Sequence, residues 1–259
     1  MILVYLLATL SLTITAIIVT VFIGGSCVIA ALCHVQDRAG SVYDLAPRWW
    51  SKIVLFMTGV RIRKHNYERA EIGKPHIFVS NHVSWYDIPA LASILYRTKF
   101  VSKAELFKIP IFGPAMKAAG MIPVERQNRK AAFAAYDDAV KQIHDGNCVV
   151  VFPEGTRGYD YPLRPFKKGP FVLAIAAGVP IIPVLLHGTL EVIGKGSMLV
   201  HPGAVDVHFL EPVSVEGYDY ERRDELAAVV RGRIAEALSR IYGIESEGQP
   251  VADASTAGI

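Results

Sequence analysis

A chain of 259 residues, 52% of them hydrophobic, holds enough apolar material for one sizeable core, and the length suits one catalytic domain with an appendage. A net charge of only +3 excludes the strongly basic footprint of a nucleic-acid binder. Cys27, Cys33 and Cys148 form neither a disulfide framework nor a metal cluster, which points to a reducing, cytoplasm-facing catalytic domain.

No charged side chain precedes Asp37. About 20 apolar residues cross the hydrocarbon core of a bilayer, so residues 1–36 exceed what an anchor needs. Gly24, Gly25 and Ser26 interrupt the run, leaving one tilted helix or a helix followed by a re-entrant piece as alternatives. A cleaved signal peptide fits less well, because the chain opens Met-Ile-Leu-Val-Tyr-Leu-Leu with no positive charge. Arg38, Arg48, Lys52, Arg61, Arg63 and Lys64 follow, and the positive-inside rule places this flank in the cytoplasm. The block Trp49, Trp50 and Ile53 to Met57 reads as an interfacial helix, with packing on the domain core as its plainer alternative. Residues 1–60 are thus expected to form anchor and interfacial helix, 61–243 the catalytic domain, and 244–259 a flexible tail without periodicity.

From Pro75 onward short β-rich runs alternate with helical ones, the pattern of an α/β fold with a mixed, mostly parallel sheet flanked by helices. Strands are predicted over 76–80, 99–102, 121–124, 148–152, 181–186 and 205–209, and helices over 88–96, 110–119, 128–144, 167–177 and 221–242. Asn128 is placed to cap the third of these helices.

The chemistry concentrates in three places. In Asn81-His82-Val83-Ser84-Trp85-Tyr86-Asp87, a turn between strand and helix lets the Asp87 carboxylate accept from one imidazole nitrogen and leave the other as a base. The plain alternative makes Asp87, followed by Ile88-Pro89, an ordinary helix N-cap. Phe152-Pro153-Glu154-Gly155-Thr156-Arg157 follows an apolar strand and sets Glu154 and Arg157 at its carboxyl end, where open α/β sheets gather ligands. There an arginine can grip a phosphate in bidentate fashion. A solvated turn is the alternative. Gly120 to Arg126 ends a third strand with a cation, Lys103 ends another, and Lys167 and Lys168 open a helix where cations oppose the dipole and suit an anion. No metal-ligand set is evident, and the remaining histidines, His65 and His208 among them, read as structural or solvated. Neither nucleotide-binding glycine motif occurs.

With these blocks in order, the chain resembles the glycerophospholipid acyltransferase family over roughly residues 49–210. Asn81 to Asp87 matches its His-x4-Asp block, Gly120 to Arg126 the block ending in a phosphate-binding arginine, Phe152 to Arg157 the Phe-Pro-Glu-Gly-Thr-Arg block, and Val179 to Leu186 the Pro-Val block. Pro123-Val124-Glu125 departs from the aromatic and aliphatic residues usual before the arginine, and Gly158 stands where serine is frequent. The resemblance implies His82 as general base, Asp87 as its orienting partner, and Lys103, Arg126, Glu154, Gly155, Thr156, Arg157 and Lys168 as substrate-binding residues. It also implies acyl-CoA or acyl carrier protein as donor substrate without further cofactor, a membrane setting, and a phosphate-bearing lysolipid as acceptor, 1-acylglycerol 3-phosphate first among them. A thioester hydrolase and a catalytically silent membrane lipid-binding protein are the rival readings.

Overall fold

The computed structural model describes residues 13–71, 73–125, 129–197 and 199–248. A seven-stranded sheet forms its centre, in the order β1-β7-β6-β2-β5-β3-β4. Its strands are β1 Val60–His65, β2 Ile77–Ser80, β3 Thr98–Lys103, β4 Ile122–Val124, β5 Cys148–Val151, β6 Ile181–His187 and β7 Gly203–Phe209. Every neighbouring pair is parallel except β6 with β7. β6, β2, β5, β3 and β4 therefore run one way, and their carboxyl ends share one edge.

The two faces are divided by strand alternation. Ile77, Val79, Val149, Val151, Ile181 and Leu185 point to one side. There they meet α5 (Arg129–His144), α6 (Gly169–Ala177) and α8 (Arg223–Tyr242). Phe78, Val150, Ile182, Val184 and Leu186 point to the other, against Leu55 of α2 (Val42–Met57) and Leu91 of α3 (Asp87–Ala92). Apolar residues on both faces explain why these strands read as continuous runs without polar alternation.

The apolar N-terminal stretch forms a helix, α1, over Thr13–Leu32, long and apolar enough to cross a membrane. A π-helical turn at Thr20–Gly24 carries it unbroken through Gly24-Gly25, so the described part of this stretch is one continuous helix. Its second half is docked. A Cβ on Gly24 would lie 3.0 Å from Ala115 in α4 (Phe112–Ala118), and Trp50 Nε1 in α2 donates to Thr20 Oγ1 at 2.9 Å. Lys99, 1% exposed, ties the following loop to the sheet through Asp37 at 2.6 Å and the Ala119 carbonyl at 2.9 Å. Trp50 is thus turned into the helix pair, while Trp49 and Phe56 stand exposed.

Some boundaries differ from expectation. β1 lies where the sequence suggested only a basic flank, and its exposed Arg61 and Lys64 suit an edge strand that must not pair further. The helix expected to reach Tyr96 stops at Ala92, where the Ser93 hydroxyl bonds back to the Ala90 carbonyl at 2.9 Å and the chain turns toward β3. The proposed Asn128 cap falls outside the described residues. Residues 245–248 have no regular structure, yet Ser246 Oγ accepts from the Leu163 amide and the Glu247 carbonyl from Arg231; the rest of the expected tail lies outside the described residues.

Candidate active site

β2 ends at Ser80, and the chain turns directly into Asn81 and His82. Asn81 is fully buried and uses its side-chain amide as a further rung of the sheet: Oδ1 accepts from the Leu186 amide at 2.8 Å, and Nδ2 donates to the Leu186 carbonyl at 2.9 Å. Freed from the ladder, the backbone turns, and His82 Nδ1 meets Asp87 Oδ2 at 2.7 Å. A carboxylate can only accept, so Nδ1 carries the proton and Nε2 is the nitrogen left to act as a base. The imidazole stacks on Phe152, with ring centroids 4.1 Å apart.

Asp87 is not the ordinary N-cap of the plain alternative. Oδ2 accepts from the amides of Val83 and Ser84, both at 2.8 Å and both before it in the chain, whereas a cap accepts from amides that follow. Tyr86 occupies the cap position of α3. Ser84 Oγ donates to the Ile193 carbonyl at 2.7 Å, so this buried hydroxyl is already engaged.

The neighbouring strand ends complete the site. From β5, Glu154 turns inward; its Oε1 accepts from the His82 amide at 2.9 Å, and burial pushes its carboxyl up to about 7. Gly155 holds a φ of +76°, and a Cβ there would lie 2.7 Å from Cε of Lys167. Thr156 is exposed. Arg157 is partly buried, lies over the Trp85 ring at 4.9 Å, and makes no ion pair among the described residues. Burial pulls its proton affinity below the usual guanidinium range. A guanidinium so placed can take an oxyanion in bidentate fashion. Lys103 and Lys168 differ: each is exposed and paired, with Glu105 at 3.2 Å and Asp224 at 2.7 Å. Arg126 lies outside the described residues. Lys167, passed over in favour of its neighbour, is the lysine whose side chain lies against Gly155, and its backbone N–H donates to the Pro153 carbonyl at 2.8 Å. Thr189, whose hydroxyl reaches Asp87, carried no sequence signal at all.

Trp85 and Tyr86 also wall an apolar cavity of about 220 Å³ bounded by α1, α2, α3 and α4. Ile23, Gly24, Cys27, Trp50 and Phe112 contribute to it. Another polar cluster, His65, Asp206 and His208, sits on the β1–β7 pair. Its imidazoles stack 4.1 Å apart within 11° of parallel, so their in-plane lone pairs do not converge on one point, and Arg63 already holds Asp206. Burial pushes His208 down to about 4.

Fold and site together define an α/β protein with a hydrogen-bonded histidine–aspartate pair at the carboxyl edge of its sheet, an arginine that makes no ion pair among the described residues, and an apolar cavity walled in part by Trp85 and Tyr86. The acyltransferase family profile matches residues 61–187. A 1-acyl-sn-glycerol-3-phosphate acyltransferase of Escherichia coli is 32% identical over 226 residues, 81% of this chain and 91% of that one. A chloroplastic enzyme of the same name from Brassica napus is 35% identical over 168 residues, 64% of this chain; the chain spans about half, 47%, of that protein's length. The crystal structure of the 1-acyl-sn-glycerophosphate acyltransferase of Thermotoga maritima superposes with a TM-score of 0.78 at 27% identity, covering 95% of this chain and 99% of the other. The chain belongs to the acyltransferase family.

Proposed function

We propose that the protein transfers a fatty acyl group from the thioester of acyl-CoA or acyl carrier protein to the sn-2 hydroxyl of 1-acylglycerol 3-phosphate, giving phosphatidic acid. The observation that carries this reading is the oriented pair, His82 Nδ1 on Asp87 Oδ2 at 2.7 Å, set beside Arg157 and the apolar cavity. His82 Nε2 takes the hydroxyl proton as the alkoxide oxygen attacks the thioester carbon. The C–O bond forms, the C–S bond breaks, and the imidazolium returns its proton to the departing thiolate. Asp87 steadies the imidazolium between these steps, and no acyl-enzyme is needed.

Arg157 holds the acceptor phosphate, with Lys167 as a further cation beside it, Lys103 and Lys168 available once their exposed ion pairs open, and Arg126 added by the family resemblance. Thr156 and Gly155 lie toward the glycerol, while Glu154 serves by fixing the His82 backbone. The cavity beyond Trp85 takes hydrocarbon. Residues 1–60 bring the site to the bilayer, with 61–243 as catalytic domain on the cytoplasmic face. The names borne by the Escherichia coli and Thermotoga maritima relatives support the choice of acceptor.

The test is transfer of labelled acyl groups from acyl-CoA and from acyl carrier protein to a panel of lysolipids, with wild type beside His82→Ala in membranes. Activity on lysophosphatidic acid that vanishes in the variant is expected. Transfer only to another acceptor would overturn the substrate, release of free fatty acid would favour a hydrolase, and no turnover at all would favour a lipid-binding role. Arg157→Ala is expected to raise the acceptor KM about tenfold or more with kcat less affected, since charge-assisted bonds to phosphate contribute roughly 1.5–3 kcal/mol. An unchanged KM would remove Arg157 from the phosphate site.

A further inference from the structure

Among the described residues, three of the four donors to the Asp87 carboxylate come from the turn that carries His82, and all three go to Oδ2. The fourth comes from elsewhere. Thr189 Oγ1 donates to Oδ1 at 2.5 Å, across 102 positions of sequence, and both residues are fully buried. We infer that Thr189 is a positioning residue for acyl transfer: its hydroxyl fixes Asp87 Oδ1, so that Oδ2 stays on His82 Nδ1.

The local structure places this hydroxyl with little freedom. β6 ends at His187, and Gly188 turns the chain with a φ of +96°; a Cβ there would lie 2.2 Å from the Ala204 carbonyl oxygen. The Gly188 amide donates to Tyr161 Oη at 2.7 Å, and that phenol donates to Glu191 at 2.5 Å. Ser84 Oγ grips the Ile193 carbonyl at the far end of the short helix α7, Thr189–Val192. The β6–α7 turn and the His82–Asp87 turn are thus joined at two points, and one of them is the carboxylate itself. With no solvent contact on either residue, water cannot replace the threonine donor without rearrangement.

A carboxylate with one donor fewer carries more charge toward its remaining partners and holds the imidazolium more tightly. Removing the hydroxyl therefore makes the base slower to release its proton and displaces the acid limb of the pH–rate profile to higher pH. Among the described residues, the other titratable groups facing this pair are Glu154, through the His82 amide, and Arg157, which feels the Asp87 charge; the substitution alters neither, so their contribution is common to wild type and variants. Glu191 is turned to Tyr161.

The inference rests on His82 being the base. The experiment compares Thr189→Val, which keeps the shape without the hydroxyl, with Thr189→Ser, which keeps the hydroxyl, in acyl transfer to lysophosphatidic acid from pH 5 to 9, with His82→Ala alongside. We expect kcat to fall about tenfold or more in Thr189→Val, as loss of a hydrogen bond to a charged group implies. The acceptor KM should stay at its wild-type value, the acid limb should move to higher pH, and serine should restore all three. A wild-type kcat in Thr189→Val overturns the inference. So does an equal loss in valine and serine variants with the acid limb unmoved, which would mark packing alone. Should the valine variant fail to fold, Thr189→Ala is read in its place against the same serine control. An active His82→Ala would overturn the base assignment, whereas an inert His82→Ala beside an unaffected Thr189→Val overturns this inference only.

Discussion

Replacing Asp87 by asparagine is expected to lower acyl transfer roughly 10³–10⁴-fold, the scale seen when the carboxylate behind a catalytic imidazole is lost. The shape hardly changes, but an asparagine can present its amide N–H to His82 Nδ1. The ring then keeps its proton on Nε2, the nitrogen that must accept one from the substrate. The Val83 and Ser84 amides bond to the same Oδ2 at 2.8 Å, so an amide nitrogen placed there also takes away their acceptor, and the turn loses stability along with the tautomer. Transfer assays read beside thermal unfolding separate the two effects. A folded Asp87→Asn protein within tenfold of wild type would refute the assignment of Asp87 as the orienting partner.

The second large effect concerns stability and pH. Glu154 is buried beneath the His82 amide, and desolvation lifts its carboxyl from an ordinary value of 4.5 to about 7. A group whose proton affinity rises on folding stabilises the fold fully below its unfolded pKa and loses that contribution as pH climbs through the folded one. Here the window runs from about 4.5 to about 7. The shift corresponds to about 3–3.5 kcal/mol as an upper bound, at 1.36 kcal/mol for each unit. Glu154→Gln keeps an acceptor for the His82 amide and removes the proton equilibrium. Unfolding followed from pH 5 to pH 8 is expected to be flatter for the glutamine variant, which should overtake wild type above pH 7. Parallel curves for the two proteins would show that the carboxyl ionises without cost.

Much of this architecture is legible from residue order alone. Strands β2, β5 and β6 are buried on both faces, so they stand out as apolar runs, and the motif residues sit where those runs end. β1 is hidden for the opposite reason: as an edge strand it alternates Arg61, Arg63 and Lys64 with Val60 and Ile62, and charge of that kind reads equally well as a membrane flank. His82 and Asp87 announce themselves through a short spacing within one turn. Thr189 gives no such signal, because its partner is 102 positions away and a threonine after a Gly turn is unremarked in any linear pattern. The choice between Lys167 and Lys168 is likewise a matter of side-chain direction: one folds over Gly155, the other reaches out to Asp224. Adjacent identical residues differ in nothing that a sequence displays.

The extra rung supplied by Asn81 has a consequence for exchange with solvent. Leu186 is fully buried in β6, yet the hydrogen-bond acceptor of its amide is a side-chain oxygen belonging to the residue just before His82. Its deuterium uptake is therefore governed by opening of that turn and not by separation of the strands, whose own amides answer to the sheet. One backbone position in the interior thus keeps time with the loop that carries His82.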